Sequence, residues 1–497
     1  MNYLINFIFI FLLLFFYYFY KKNENTGILD NISNKKTEFY EIFNKSDIIL
    51  DDVCGCDEAK IQIKDLLHII KNSKDYKDIG ARLPKGILLE GEPGVGKTML
   101  VKALASECKL PLILAYSSNF CDTYVGVGSK RVKQLFDAAR KNSPCIIFLD
   151  EIDAIGVKRS YDASGGNNER MTTLNAILQE MDGFNELNDI LIIAATNKVN
   201  VLDSALTRSG RFDRKITVIK PDLKTRDDLF NHYLSKVKCK DNKKLSKEFA
   251  KLTPGMTGAD ISNIVNESAL ISVRDGYKEI KHKTLNEAYE IHILGSKKLR
   301  GNLSKNEEKI VAYHEAGHAI LQYLLKYTPT VSRVSIEPRV KSALGYSQSE
   351  PEEKNLSSKQ ELIHQVCILL GGRIVEEIIS KNLVTSGAVN DLQEINKYIT
   401  KYVQLFGFDK SFGEYIVLEN DNYLKKENCS EKTKFIIEKK CKKLVKLIKK
   451  KTKDIILQHF NYITEIANLL IKKKIIYTED LNKIIGLSKQ NTIIINI

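Results

Sequence analysis

The octapeptide Gly91-Glu-Pro-Gly-Val-Gly-Lys97-Thr98 follows a short apolar run, GILLE, from Gly86 to Glu90, and precedes the helical stretch MLVKALASE. Few folds accommodate that order. A glycine-rich loop between a buried strand and a helix lets backbone N–H groups curl around phosphate oxygens, and the helix N-terminus adds its dipole. On this reading Gly91, Glu92, Pro93, Gly94, Val95 and Gly96 form the cradle. Lys97 reaches the β- and γ-phosphates of ATP, and Thr98 ligates Mg2+. The chain is therefore expected to contain an α/β domain built on a parallel sheet.

The segments downstream supply what a bare phosphate loop lacks. Cys145-Ile-Ile-Phe-Leu-Asp150-Glu151 reads as a buried strand ending in two acids. Asp150 is expected to hold the Mg2+ shell and Glu151 to polarise the attacking water. A further strand, Ile190 to Ala195, ends in Thr196-Asn197, where a polar side chain can sense the γ-phosphate. In Leu206-Thr-Arg208-Ser-Gly-Arg211-Phe-Asp-Arg214 the arginines are candidates for fingers inserted into a neighbouring subunit's ATP site.

A second chemistry lies some two hundred residues further on. Ser304-Lys-Asn-Glu307 reads as a capping box that opens a helix carrying Ala312-Tyr-His314-Glu315-Ala-Gly-His318. At i and i+4 the two imidazoles share one helix face, a spacing that a single Zn2+ accepts. Glu315 lies beside them, positioned to take a proton from water. A catalytic zinc usually takes three protein ligands and leaves one position open. Downstream, Gly371-Gly-Arg-Ile-Val-Glu376-Glu377 reads as a helix, and Thr385-Ser-Gly-Ala-Val-Asn390-Asp391 as a turn entering another. Asp391, Glu376 and Glu377 are the candidates for the third ligand, and spacing alone does not choose among them. Val331 to Ile336 alternates like a strand and is expected as an edge that binds extended peptide; an internal strand is the rival reading.

Taken in order, Asp51-Asp-Val-Cys-Gly-Cys-Asp-Glu-Ala, GEPGVGKT, FLDEID, MDGF, AATN, LTRSGRFDR and TPGMTGADI resemble an AAA-type ATPase. AYHEAGHA, GGRIVEEI and TSGAVNDL then follow as in the FtsH-type AAA+ ATP-dependent zinc metalloproteases. The resemblance covers roughly residues 48 to 408. It implies a hexameric ring with ATP at the subunit interfaces, Arg208 and Arg211 as trans-acting fingers, and adenine near Asp52 to Gly55. It also implies that Asp391 is the third zinc ligand, with Glu376 supporting the site from behind. In Phe120-Cys-Asp-Thr-Tyr124-Val125-Gly126-Val-Gly128 it implies a pore loop whose Tyr124 grips the substrate chain. Glu92, Val95, Ser209 and Val389 depart from residues common in the family, where Pro, Thr, Pro and Ser are usual.

The ends of the chain are less like the family. Tyr3 to Tyr20 is 18 residues without a charge, followed by Lys21-Lys22. It reads as an uncleaved single transmembrane helix, with everything after it on the cytosol-like side of a bacterial inner membrane or an organelle membrane. Relatives with two spans and a domain between them are common, so one span is a departure. From Lys410 onward, 19 lysines face 10 acidic residues, which reads as a solvated helix surface. No RNA- or DNA-binding motif accompanies it, and nucleic acid is not an expected partner. Nine scattered cysteines suit free thiols in a reducing compartment.

The expected fold is an α/β P-loop AAA+ ATPase domain (a parallel sheet plus a small helical lid) followed by a mainly α-helical zinc metalloprotease domain. The expected boundaries are 1–22 anchor, 23–46 linker, 47–220 ATPase subdomain, 221–296 lid and 297–497 peptidase with its basic tail. The expected function is ATP-dependent unfolding and cleavage of unfolded or membrane proteins by a homohexamer using Zn2+, ATP and Mg2+, in contact with membrane lipid. The alternative is an unfoldase or chaperone whose peptidase domain serves only as scaffold.

Overall fold

The computed structural model describes residues 39–44, 48–81, 84–122, 124, 126–157, 165–183, 190–296, 304–339, 344–349, 356–380, 385–409, 430–486 and 490–495. The apolar stretch expected as an anchor and Val125 of the pore-loop reading lie outside these residues. Among the described residues, no helix is long and apolar enough to cross a membrane. The chain divides into two compact units that interleave in sequence. One takes residues up to 50, 63–90 and 98–216; the other takes 51–62, 91–97 and 217–497.

In chain order the first elements are β1 (Tyr40–Phe43), α1 (Asp57–Lys71), α2 (Ser73–Asp78), β2 (Gly86–Glu90), α3 (Lys97–Cys108), β3 (Leu112–Tyr116), α4 (Val127–Lys141), β4 (Cys145–Asp150), α5 (Gly165–Asp182), β5 (Ile190–Thr196) and β6 (Phe212–Thr217). The strands form one six-stranded sheet in the order β1-β3-β4-β5-β2-β6. β3, β4, β5 and β2 run parallel, with Ile113 opposite Ile147, Phe148 opposite Ile193 and Leu88 opposite Ala194. Their apolar runs are continuous because a parallel sheet is covered on both faces. Ile113, Ile147 and Ile192 pack with Val132 and Phe136 of α4 and Ile177 of α5. The stretch 23–46, expected as a linker, includes β1, whose Tyr40–Phe43 pairs antiparallel with β3. Phe39 adds an edge-on contact to Phe120, so this segment has enough apolar side chains to add a strand at the sheet's edge.

The second unit begins its helical run with α6 (Leu223–Ser235), α7 (Asn242–Leu252), α8 (Gly258–Arg274) and α9 (His282–Leu294), packed around Phe230, Phe249, Ile261, Ile264 and Leu285. α8 starts at a capping box in which Asp260 N–H donates to Thr257 Oγ1, and Thr257 N–H to Asp260 Oδ2. Then come α10 (Lys305–Leu324), β7 (Val331–Ser335), β8 (Tyr346–Ser349), α11 (Lys359–Ile379), α12 (Val389–Thr400), α13 (Glu431–Gln458), α14 (Phe460–Lys473), β9 (Ile475–Tyr477) and α15 (Thr478–Ile485).

Every residue of α10 from Ala312 to Leu324 is buried. A helix covered all round needs neighbours on several sides, and α11 and α14 pack on it within one apolar core. The small sheet runs β8-β7-β9. Val331 to Ile336 is therefore an internal strand over most of its length and not the expected edge, because β8 and β9 occupy both of its sides. Among the described residues the sheet's edges are β8 and the three-residue β9. α13 turns Ile437, Ile448 and Ile456 inward and most of its lysines outward, as a solvated helix face requires.

Candidate active site

α10 and α11 cross at glycines. A Cβ on Gly317 would lie 2.7 Å from the carbonyl oxygen of Gly371, and one on Gly371 would lie 2.6 Å from that of Gly317. Only hydrogen side chains let the two backbones approach this closely. The approach brings α11 against both imidazoles. His318 Nδ1 lies 2.7 Å from Ile368 O, and His314 Nδ1 lies 2.7 Å from Glu376 Oε1. A carbonyl and a carboxylate can only accept, so each Nδ1 carries the donated proton and each Nε2 turns toward the same side.

That side holds Asp391, in the first turn of α12. Its Oδ2 is 3.3 Å from His314 Nε2 and 3.6 Å from His318 Nε2, and the two nitrogens are 2.9 Å apart. Two imidazole lone pairs and a carboxylate in such contact need a shared cation among them, either a proton or a metal. A tetrahedral Zn2+ with ligands at about 2.0–2.1 Å would separate its nitrogens by roughly 3.3 Å. The three residues therefore fit a zinc ion with little movement, and they form a candidate metal cluster among the described residues. Without a metal, burial opposes a charge on His314, but its hydrogen bonds to Asp391 and Glu376 outweigh burial and push its pKa up to about 10. Burial likewise opposes the charge on Asp391, yet the two imidazoles hold it well below the usual carboxylate range.

Of the three carboxylates the sequence left open, each has a distinct setting. Asp391 faces the Nε2 atoms. Glu376, buried at 2% exposure, supports His314 from the Nδ1 side and accepts through Oε2 from the N–H and hydroxyl of Thr385, at 3.2 and 3.1 Å. One side chain thus orients an imidazole and anchors the turn that leads to Asp391. Arg373 Nη1 ties the same turn by donating to Thr385 O at 2.8 Å. Glu377 points elsewhere and binds Lys449 at 2.7 Å.

Glu315 is 5% exposed, and burial raises its pKa against the pull of His318 and His314. Gly345, immediately before β8, lies on it: a Cβ there would stand 2.7 Å from Glu315 Cγ and Oε1. Sequence reading missed Gly345, Gly372 and the closeness of β8, because they reach the site through backbone and carry no chemistry of their own.

Of the residues expected to hold nucleotide, 91–97 belong to the second unit, and Thr98, Asp150, Glu151 and Asn197 to the first. In the second unit, Lys97 is 7% exposed and its Nζ donates to Gly91 O and Glu92 O at 2.7 and 2.9 Å. Gly94 has φ +80, and its carbonyl accepts from Ala259 N–H at the start of α8, 3.2 Å away. Pro93, Val95 and Gly96 complete that loop; Val95 is buried, and Glu92 forms an ion pair with Lys220 at 2.8 Å. In the first unit, Thr98 Oγ1 donates to Asp150 Oδ2 at 2.9 Å. Glu151 follows in the left-handed region at φ 54, an uncommon backbone for a non-glycine residue, with its side chain exposed. Asn197 is exposed at the carboxyl end of β5, beside the strand whose carboxyl end bears Asp150.

Tyr124 is 74% exposed. The backbone after it is held by Glu169 of α5, whose carboxylate accepts from the N–H groups of Gly126 and Gly128 at 2.8 and 3.0 Å. Glu169 is another residue that sequence reading missed. Arg208 is exposed, whereas Arg211 is engaged within its own chain by Asp182 at 2.7 Å and by Ala205 O at 2.8 Å.

Comparison with known proteins adds three family matches. Residues 302–484 match peptidase family M41, 87–219 match the ATPase family associated with various cellular activities, and 246–287 match the AAA+ lid domain. The ATP-dependent zinc metalloprotease FtsH of Clostridium perfringens is 40% identical over 491 residues, which is 98% of this chain and 68% of that protein. The mitochondrial ATP-dependent zinc metalloprotease FTSH 3 of Arabidopsis thaliana is 41% identical over 445 residues, 89% of this chain and 55% of its own length. The mouse mitochondrial inner membrane m-AAA protease component AFG3L2 is 40% identical over 446 residues, 88% and 55%. The chain thus spans about half the length of most such relatives.

Proposed function

Because this chain belongs to the family of FtsH-type ATP-dependent zinc metalloproteases, we propose that it is a membrane-anchored, ATP-dependent zinc endopeptidase that unfolds protein substrates and cleaves them. The observation that carries this reading is the cluster of His314, His318 and Asp391, with buried Glu315 next to the histidines on the same helix. Those three residues would hold a Zn2+, which would supply Lewis-acid polarisation of a peptide carbonyl and of water. Glu315 takes the proton from the attacking water and returns it to the leaving amine. Glu376 and the Ile368 carbonyl keep both Nε2 atoms turned to the metal. The open side of β8 offers backbone groups to an extended substrate beside Glu315.

The ATPase part would deliver the chain that the peptidase site cuts. In this reading Gly91 to Gly96, Lys97 and Thr98 hold the phosphates and Mg2+. Asp150 completes the Mg2+ shell, Glu151 activates water and Asn197 senses the γ-phosphate. Arg208 and Arg211 act in trans in a hexamer, Arg211 after leaving Asp182. Tyr124, exposed on a loop braced by Glu169, pulls the chain. Residues 1–22 anchor the ring, 47–220 and 221–296 form the ATPase, and 297–497 the peptidase.

The test is degradation of an unfolded reporter protein by the detergent-purified chain supplied with zinc. It is run with ATP, without ATP, and with Glu315→Gln. Cleavage lost in both controls is the expected outcome. ATP hydrolysis without any cleavage by the wild type would overturn the reading in favour of an unfoldase.

A further inference from the structure

Glu290 of α9 is 7% exposed and accepts from two arginines that are more deeply buried still, Arg333 of β7 at 5% and Arg339 just after it at 1%. Arg333 Nη1 donates to Oε1, and Arg339 Nη2 donates to Oε2 at 2.5 Å. Among the described residues, the Nε of each arginine has no partner. Two cations around one carboxylate, with donors left over, make a poor device for stability, because desolvating three charges costs several kcal/mol each before their attraction is counted. What such a triad can do is hold one geometry among alternatives.

The geometry it holds is that of β8 against α9. Arg333 Nη2 donates to Tyr346 Oη at 2.6 Å, with its guanidinium over the Tyr346 ring. Gln348 Nε2 donates to Tyr289 Oη at 3.0 Å, and Tyr289 donates in turn to Leu252 O at 2.9 Å. Tyr346 and Gln348 both belong to β8, which begins next to the Gly345 that rests on Glu315. Two residues beyond Glu290, in the last turn of α9, His292 Nε2 lies 3.5 Å from Asp260 Oδ1 in the capping box of α8. The neighbouring Ala259 N–H donates to Gly94 O of the phosphate loop. An unbroken series of contacts within one compact unit therefore runs from Gly94 through α8 and α9 to β8 and Glu315.

We propose that Glu290 is a positioning residue: through Arg333 and Arg339 it makes the position of β8, and hence the peptide-binding edge beside Glu315, depend on nucleotide at the phosphate loop. The proposal rests on the endopeptidase reading for its consequence, though its structural content stands apart from it. Nucleotide shifts the N-terminus of α8, α9 follows as a packed body, and the buried triad transmits the shift because it has no loose member. The peptidase then grips an extended substrate in step with the ATP cycle.

The experiment is hydrogen exchange of the 345–349 amides in the full chain, nucleotide-free and with ADP or a non-hydrolysable ATP analogue. It is paired with cleavage of a short fluorogenic peptide. In the wild type, exchange should differ between nucleotide states by about fivefold or more, the lower end of coupling between sites. In Glu290→Gln that difference should vanish, and KM for the peptide should rise about fivefold while zinc content and kcat hold. Glu290→Asp, which keeps the charge, should recover part of both effects. If Glu290→Gln does not fold, Gln348→Leu, which removes the bond to Tyr289 and the longer one from Arg333 Nη2, should halve the nucleotide effect or more. Exchange at β8 that ignores nucleotide in the wild type, or responds equally in the variants, would overturn the proposal. Absence of peptide cleavage by the wild type would instead overturn the endopeptidase reading, leaving the exchange result to decide this one.

Discussion

Gly372→Ala puts the metal site under a calculable load. An alanine Cβ at this position of α11 would stand 2.5 Å from both Cε1 and Nε2 of His314, and 2.7 Å from Cδ2. Ordinary contact begins near 3.4 Å. The ring must therefore retreat by about 0.9 Å or tilt, and overpacking of this kind costs about 1–3 kcal/mol. Neither escape is free, since Nδ1 is tied to Glu376 at 2.7 Å and the ring sits on a helix buried on all sides. Most of the displacement falls on Nε2, which leaves its place opposite Asp391. Losing the orientation of one ligand typically lowers metal affinity about 10–100-fold, and that is the expected loss here. Competition against a chromophoric chelator measures it, with a thermal melt to establish that the variant is folded. Gly258→Ala, where the nearest atom to the new Cβ is 3.7 Å away, is the control and should bind zinc as the wild type does. A folded Gly372→Ala protein with unchanged zinc affinity would refute the claim that this contact fixes the imidazole.

Glu376→Gln retains the shape but loses the carboxylate that both His314 and Thr385 use; zinc affinity should fall about 10–100-fold by the same titration. Glu169→Gln can accept through only one atom where two N–H groups now donate. It should cost about 1–3 kcal/mol of local stability, seen as faster amide exchange at Gly126 and Gly128, and should slow protein degradation more than ATP hydrolysis. Asp222 caps α6, and its bonds from Thr225, with smaller help from Arg226 and Lys224, hold its pKa below the usual 3.8. A lowered folded value means that its stabilisation is present above 3.8 and is lost as pH falls through the folded pKa. Asp222→Ala should therefore cost about 1 kcal/mol at neutral pH and less in acid, measured by denaturant unfolding at each pH.

Local reading of the chain goes far where one element suffices. The phosphate loop lies between a strand and a helix because its glycines permit little else, and β4 reads as a buried strand because its apolar run is unbroken up to Asp150. His314 and His318 share a face by helix periodicity alone. Reading falters where partners come from afar. Val331 to Ile336 alternates like an edge strand, yet β8 and β9 flank it, and β9 arrives from about 140 residues downstream. The apparent linker supplies β1 because β3 has an open side for it to join.

Sequence by itself therefore determined the chemical vocabulary of this protein: a triphosphate loop, a pair of imidazoles one helical turn apart, and a glutamate between them. It could do so because loop and helix geometry fix neighbours a few residues apart without reference to the rest of the chain. Tertiary structure brings Asp391, the carboxylate that the family resemblance implied and spacing left open, to the imidazoles, and it alone decided which strand borders the base. It also decided that Glu290, unremarkable in sequence, lies buried between two arginines. Those outcomes follow from how closely Gly317 and Gly371 let two helices approach, and from where β8 is held. Contacts across such distances depend on packing the whole unit, a property no short stretch of sequence contains.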